Sequence, residues 1–172
     1  MSEAFDLFKC SKDLDIEEFL RKKAVQFEDR GWCNVYLLLN KEELSKKKFK
    51  VEAYFTLSHK VIGLCDGVSK TKMREIKSLS QDNNIHFVLI GQLGKHIYID
   101  DTNEENNCRS EITSHEILDR AFEVIGKSHD LIPCRCVLVE CSDDEKVHNV
   151  YKDYNFKYLQ FDGEHHQFYK SI

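Results

Sequence analysis

One proline and seven glycines are all that 172 residues contain. Such scarcity excludes a collagen-like or Pro/Gly-rich disordered chain. No Ser/Gly-rich or Pro-rich stretch separates one part of the sequence from another, and no internal repeat is visible, so a single domain over residues 1–172 is expected. No run approaches the ~18 apolar residues of a helical membrane span. The polar start Met1-Ser2-Glu3 does not open a signal peptide. A cytoplasmic, soluble protein with no membrane partner is therefore expected. Positive charge is also in deficit: 25 Lys and Arg stand against 30 Asp and Glu, a net charge of −5. That balance argues against a broadly basic nucleic-acid surface. What is plentiful is apolar and aromatic residues, 41% and 11% of the chain, enough for one substantial core.

Seven cysteines and eight histidines invite a metal reading. Cys10, Cys33, Cys65, Cys108, Cys134, Cys136 and Cys141 contain no Cys-x-x-Cys pair, and no His-x-x-x-His arrangement accompanies them. Buried, reduced thiols in a reducing compartment account for them better, and no metal is expected. His165-His166 reads as a surface pair in a terminal strand. Two basic clusters, Lys46, Lys47, Lys48 and Lys50, and Lys70, Lys72, Arg74 and Lys77, fit solvated loops or a nucleic-acid contact.

Hydrophobic periodicity orders the elements. Ile16, Phe19, Leu20, Ala24 and Phe27 mark an amphipathic helix over residues 15–30, stopped by Gly31. Residues 34–39 form a short apolar strand. Phe49, Val51, Ala53, Phe55 and Leu57 alternate with polar neighbours as in a half-buried strand. A helix or ordered loop is expected around residues 73–79. Residues 85–93 read as a strand buried on both faces, which residues 97–99 could extend. Gly91 inside it and Gly94 just after suggest a bulge, or a place where another backbone or a ligand comes close. An acidic, asparagine-rich loop covers residues 100–108. Residues 134–141 form the next buried strand. Asp143, Asp144 and Glu145 open a helix whose first turn carries the charge its dipole favours, with Val147, Val150, Tyr151 and Tyr154 facing inward. Residues 156–161 and 166–169 close as a hairpin around Asp162-Gly163. This order implies an α/β fold, a mixed sheet with helices on its faces.

The stretch from Arg109 to Leu118 carries the most information. Thr113 and Glu116 have the spacing of a capping box, and Ile117, Leu118, Ala121, Phe122 and Ile125 give the helix, over residues 114–127, one apolar face. The positive end of such a helix can bind phosphate, though any capped helix begins the same way.

Together these segments resemble the GNAT superfamily of N-acetyltransferases, most closely the toxin-like enzymes of bacterial toxin–antitoxin pairs and their phage and Firmicute relatives. The family's acyl-CoA motif reads Arg/Gln-x-x-Gly-x-Gly/Ala, followed by a Leu-Leu pair; Arg109, Ile112, Ser114, Ile117 and Leu118 fall in that register. Ile112 and Ser114 replace the glycines. Phe8-Lys9-Cys10, Leu14-Asp15 and Phe19-Leu20 are similar to the opening of the toxin-like enzymes. Gln92-Leu93-Gly94-Lys95 stands at the splayed end of the family's fourth strand, and Val150-Tyr151 through Asn155-Phe156 matches Phe-Tyr-x-x-x-Gly-Phe. Asparagine tolerates the positive φ of the replaced glycine.

The resemblance implies a GNAT fold, a mixed and mostly antiparallel sheet with a splayed central strand pair and helices on both faces. It implies acetyl-CoA as co-substrate and transfer of its acetyl group to a primary amine. Pantetheine would follow Leu93, Gly94 and Lys95, with the N–H of Leu93 or Gly94 polarising the thioester carbonyl. Pyrophosphate would lie over Arg109, Ser110, Ile112, Thr113, Ser114 and His115. Tyr151 would contact the cofactor and protonate the departing sulfur. His59, His96 and His115 are candidate bases by type alone. An α-amine, with a pKa of about 8, can do without one. Acceptors of that kind include aminoacyl-tRNA, protein N-termini and small amines; a homodimer and an antitoxin partner are further expectations. The alternatives are a GNAT-fold protein that binds CoA without turnover and, least favoured by the acidic charge, a nucleic-acid-binding module.

Overall fold

A computed structural model describes residues 2–77, 84–98, 108–129 and 134–172. Most of the expected asparagine-rich loop, and the end of the helix expected over residues 73–79, lie outside the described residues. In chain order the elements are α1 (Ser2–Asp6), α2 (Leu14–Glu18), a π-helical turn (Phe19–Lys23), α3 (Ala24–Asp29), β1 (Asn34–Leu39), α4 (Lys41–Ser45) and β2 (Val51–Gly63). There follow α5 (Lys70–Lys77), β3 (Asn84–Lys95), β4 (Ile97–Tyr98), β5 (Cys108–Arg109), α6 (Ser114–His129), β6 (Cys136–Cys141), α7 (Glu145–Asp153), β7 (Lys157–Phe161) and β8 (His166–Ser171). Six strands form one open sheet in the order β1-β2-β3-β6-β8-β7, and β4 and β5 pair separately. The β1–β2, β6–β8 and β7–β8 pairs are antiparallel, and β3–β6 is parallel. The expected mixed, mostly antiparallel sheet is what forms.

The chain divides into two compact units, residues 1–57 with 92–120 and residues 58–91 with 121–172. In the first unit, Phe8, Phe19, Leu20, Val51 and Tyr54 form the core, with Ile16 and Phe27 packed against it. The expected helix of residues 15–30 is built in three pieces. Asp13 caps its start by accepting the N–H groups of Asp15 (3.0 Å) and Ile16 (3.3 Å). Its middle widens, so that the N–H of Ala24 donates to the carbonyl of Phe19, five residues back. Gly31 stops it at φ 68°, and the N–H of Trp32 reaches back to the carbonyl of Phe27 at 2.9 Å.

β2 departs from the half-buried expectation. Residues 51–57 are all buried, Glu52 and Thr56 included, and Phe49 lies outside the strand and is exposed. Burying both faces requires partners for the polar side chains. Asn40 Nδ2 donates to Glu52 at 3.0 Å, and Thr56 Oγ1 accepts the N–H of Gln92 at 2.9 Å. Residues 41–45, read beforehand as no element, form α4, capped by Asn40 accepting the N–H of Glu43 at 3.0 Å.

The second unit has its own core of Ile62, Ile76, Ile85, Phe87, Leu138, Leu159 and Tyr169. Here β3 alternates: Ile85 and Phe87 are buried while Asn84 and His86 are exposed, so its first half shows one face to solvent rather than none. The β7–β8 hairpin forms as expected, with Asp162 Oδ1 accepting the N–H groups of Glu164 (2.9 Å) and His165 (2.8 Å) around Gly163 at φ 102°. Cys10, Cys33, Cys65, Cys134, Cys136 and Cys141 are free thiols; Cys10, Cys134 and Cys136 are buried as expected, but Cys65 is exposed.

Candidate functional site

In the first unit the predicted segments meet. β3 ends at Lys95; the next residue, His96, donates its N–H to the Glu52 carbonyl (2.8 Å) and accepts the N–H of Ser110 on its own carbonyl (3.1 Å). One residue therefore ties the end of β3, with Leu93, Gly94 and Lys95, to the loop that enters α6. β4 and β5 add to the tie by pairing Ile97 with Arg109. The expected extension of β3 into residues 97–99 is thus interrupted at His96, and the chain changes partner there. His96 itself is buried, and its Nδ1 accepts the N–H of Lys9 at 2.9 Å. Burial holds its imidazole below the ordinary histidine pKa, so it is neutral at pH 7. Its Nδ1 and both of its backbone groups are thus engaged with the protein. His115, on the first turn of α6, and His59, on β2, are both exposed.

The capping box exists as written. Glu116 donates its N–H to Thr113 Oγ1 (3.1 Å), and its carboxylate accepts the N–H (2.7 Å) and the hydroxyl (2.9 Å) of Thr113. The Thr113 N–H bond is the leading reason that the Glu116 carboxyl is held below the usual carboxylate range. The Lys95 charge also contributes to that lowering. Ser110 is buried, and its Oγ accepts the N–H of Ile112 at 3.3 Å. The Ile112 and Thr113 amides, both in the expected pyrophosphate seat, thus already have protein acceptors. Ile112 and Ser114 are half-buried, and Thr113 is exposed.

Gly94 answers the close approach suggested by its position in a strand. A β-carbon there would run into the ring of Tyr54 and come within 2.6 Å of Ile16 Cγ2. What crowds it is a side chain of the core, neither a backbone nor an open ligand path. A cavity of about 300 Å³ in the same unit is lined by Phe8, Lys48, Phe49, Val51 and the candidate base His96 among others, and touches none of the residues expected to hold acetyl-CoA.

Tyr151 lies in the second unit, on α7. Asp144 caps this helix by accepting the N–H of Lys146 at 2.8 Å. The helix ends where Asn155 takes up φ 66° and the N–H of Phe156 returns to the Tyr151 carbonyl at 2.9 Å. The Tyr151 ring is buried against Phe156 (5.6 Å between centroids) and Phe168 (6.0 Å). Its hydroxyl has no hydrogen-bond partner among the described residues. Burial pushes the phenol above its ordinary pKa, so it stays protonated through the neutral range.

The architecture is that of the GNAT fold. No family model matches the sequence, and no curated protein matches it. Solved structures do. AtaT complexed with acetyl-methionyl-tRNAfMet superposes with a TM-score of 0.70 at 20% identity, over 97% of this chain and 86% of that one. AtaTR bound with AcCoA gives 0.67 and 20%, and a tyrosine-to-phenylalanine variant of KacT gives 0.69 and 17%, each over 97% and 86%. AtaT and KacT are GNAT-fold toxins of toxin–antitoxin systems. At such identities the likeness extends to the fold.

Proposed function

We propose that this chain is a single-domain, acetyl-CoA-dependent N-acetyltransferase of the toxin-like GNAT kind. The observation that carries the reading is the joint at His96, which brings the end of β3 to the capped start of α6 in a chain with this fold. Acetyl-CoA is the co-substrate, as in the AtaTR structure. Pantetheine runs beside Leu93, Gly94 and Lys95, and the pyrophosphate sits over residues 109–115. The acceptor amine attacks the thioester carbonyl, a C–N bond forms and the C–S bond breaks. A backbone N–H of Leu93 or Gly94 stabilises the oxyanion, Tyr151 donates its proton to the departing thiolate, and the proton shed by the new amide nitrogen restores the phenol. A phenol without a competing partner is suited to that. The α-amine of an aminoacyl-tRNA is the acceptor we favour, because AtaT was captured with acetyl-methionyl-tRNAfMet. An antitoxin is the matching protein partner, because an AtaT variant was solved bound to the C-terminus of the antitoxin AtaR, and a homodimer is the assembly we propose.

One observation favours a second reading, CoA binding without turnover. The Ile112 and Thr113 amides are already engaged, and the Glu116 carboxylate occupies the mouth of the seat. Two measurements separate the readings. Acetyl-CoA at a hundred times its Kd should stabilise the protein by about 2.7 kcal/mol, whereas no rise in melting temperature at millimolar ligand removes both. Labelled acetyl-CoA offered with charged tRNA, peptides and polyamines then reports transfer; binding with no labelled product leaves the second reading.

A further inference from the structure

Three side chains of the second unit that the acetyltransferase reading does not use converge at the start of α7. Asp143 precedes the helix, His148 lies on its second turn, and His166 opens β8. One ligand atom from each lies within 4.8 Å of the other two. The imidazole Nε2 of His166 is 3.6 Å from Asp143 Oδ1. The rings of His148 and His166 stand 4.9 Å apart at 63°.

These distances suit an ion. With bonds of roughly 2.0–2.2 Å, two donors on a tetrahedral zinc lie about 3.4 Å apart. The Asp143–His166 pair is already near that separation, and Asp143 is exposed and able to close on the third donor. The tautomer of His148 is also set. Its Nε2 is 3.1 Å from the carbonyl oxygen of Ser142. A carbonyl only accepts, so this nitrogen is the one that donates, and Nδ1 is the nitrogen left for an ion. A backbone carbonyl holding the far N–H is the usual outer partner of a metal-bound imidazole. Two imidazoles and one carboxylate favour a borderline transition ion over magnesium or calcium, and three protein donors leave a position open.

We propose that Asp143, His148 and His166 form a binding site for a divalent transition-metal ion of the zinc class, joining the start of α7 to β8. The site shares no residue with the proposed acetyl-CoA seat.

The test uses the intact chain, stripped by chelator and titrated with zinc by calorimetry and with cobalt by visible absorption. One ion should bind per chain, cobalt should show the intense bands of a low-coordinate site, and zinc should raise the melting temperature. His148→Ala and His166→Ala should each weaken binding by at least the roughly 10- to 100-fold that loss of an outer partner costs. His165→Ala, a change to the neighbouring histidine, should leave it intact. Circular dichroism checks that each variant is folded, and His166→Gln serves if the alanine is not. The site is overturned if zinc does not saturate at one per chain, or if binding survives in a folded His148→Ala/His166→Ala double variant.

Discussion

The ring of Tyr54 occupies the space that a β-carbon on Gly94 would need. The ring is fully buried, and its hydroxyl donates to the Ile16 carbonyl at 2.6 Å, so it cannot swing aside without losing that bond. Gly94→Ala should therefore destabilise the protein by about 1–3 kcal/mol, the usual cost of overpacking. Denaturant unfolding of Gly94→Ala, Tyr54→Leu and the double variant would show it. Coupling beyond ~0.5 kcal/mol is expected; additive losses would mean the ring is not the obstacle.

At the start of α6 the cap engages amides that the proposed pyrophosphate seat would use. Thr113→Ala should cost about 1 kcal/mol of stability through loss of the cap. Glu116→Gln removes an anion from the proposed pyrophosphate seat, so acetyl-CoA should bind the variant more tightly. Salt should narrow the difference. Equal affinity of the variant and the parent at low ionic strength would place the pyrophosphate elsewhere. Because the Glu116 carboxyl is held below its unfolded value, its contribution to folding is present above about pH 4.3 and is lost as pH falls through the folded value.

Tyr151→Phe separates chemistry from packing. The hydroxyl has no partner among the described residues, so its removal should move stability by no more than about 0.5 kcal/mol. The ring contacts with Phe156 and Phe168 remain. Transfer to a competent acceptor should fall by roughly 10²–10⁴-fold if the phenol is the acid, with acetyl-CoA affinity little changed. Full activity in the variant would assign the proton to another group.

His96 predicts a pH dependence. Its pKa is lowered by burial, so the unfolded chain takes up a proton first as pH falls. Stability associated with the neutral ring is complete above about pH 6.5 and declines as pH drops through the folded value. Unfolding free energy measured from pH 7.5 to 5 should fall over this window, before most carboxylates titrate. A His96→Gln variant should flatten the decline; an unchanged slope would place the titration at another histidine.

What could be read beforehand was what one turn of chain decides. The Thr113–Glu116 box, the Asp162-Gly163 hairpin and the left-handed residue at Asn155 all depend on near neighbours, and each formed where the sequence pointed. Hidden features depend on distant partners. Nothing near residues 51–57 shows that β2 is covered on both faces, because Asn40 and Gln92, which satisfy its polar side chains, lie on other elements. Gly94 looked open to a ligand because Tyr54 is 40 positions earlier in the chain. His148 and His166 share no motif spacing; the β6–β8 pairing sets Cys141 opposite His166 and so brings the latter to the start of α7. In the candidate site, the residue types were legible, but the joint through His96 was not.

The scattered cysteines give the molecule its own reporters. Cys65 is exposed, whereas Cys10 is buried in the first unit and Cys134 and Cys136 in the second. A thiol reagent added to the native protein should label Cys65 at once. The buried thiols become available only through opening, so their separate labelling rates measure how often each unit breathes. Mass spectrometry of the labelled peptides can thus follow local stability in the two units without introducing a single substitution.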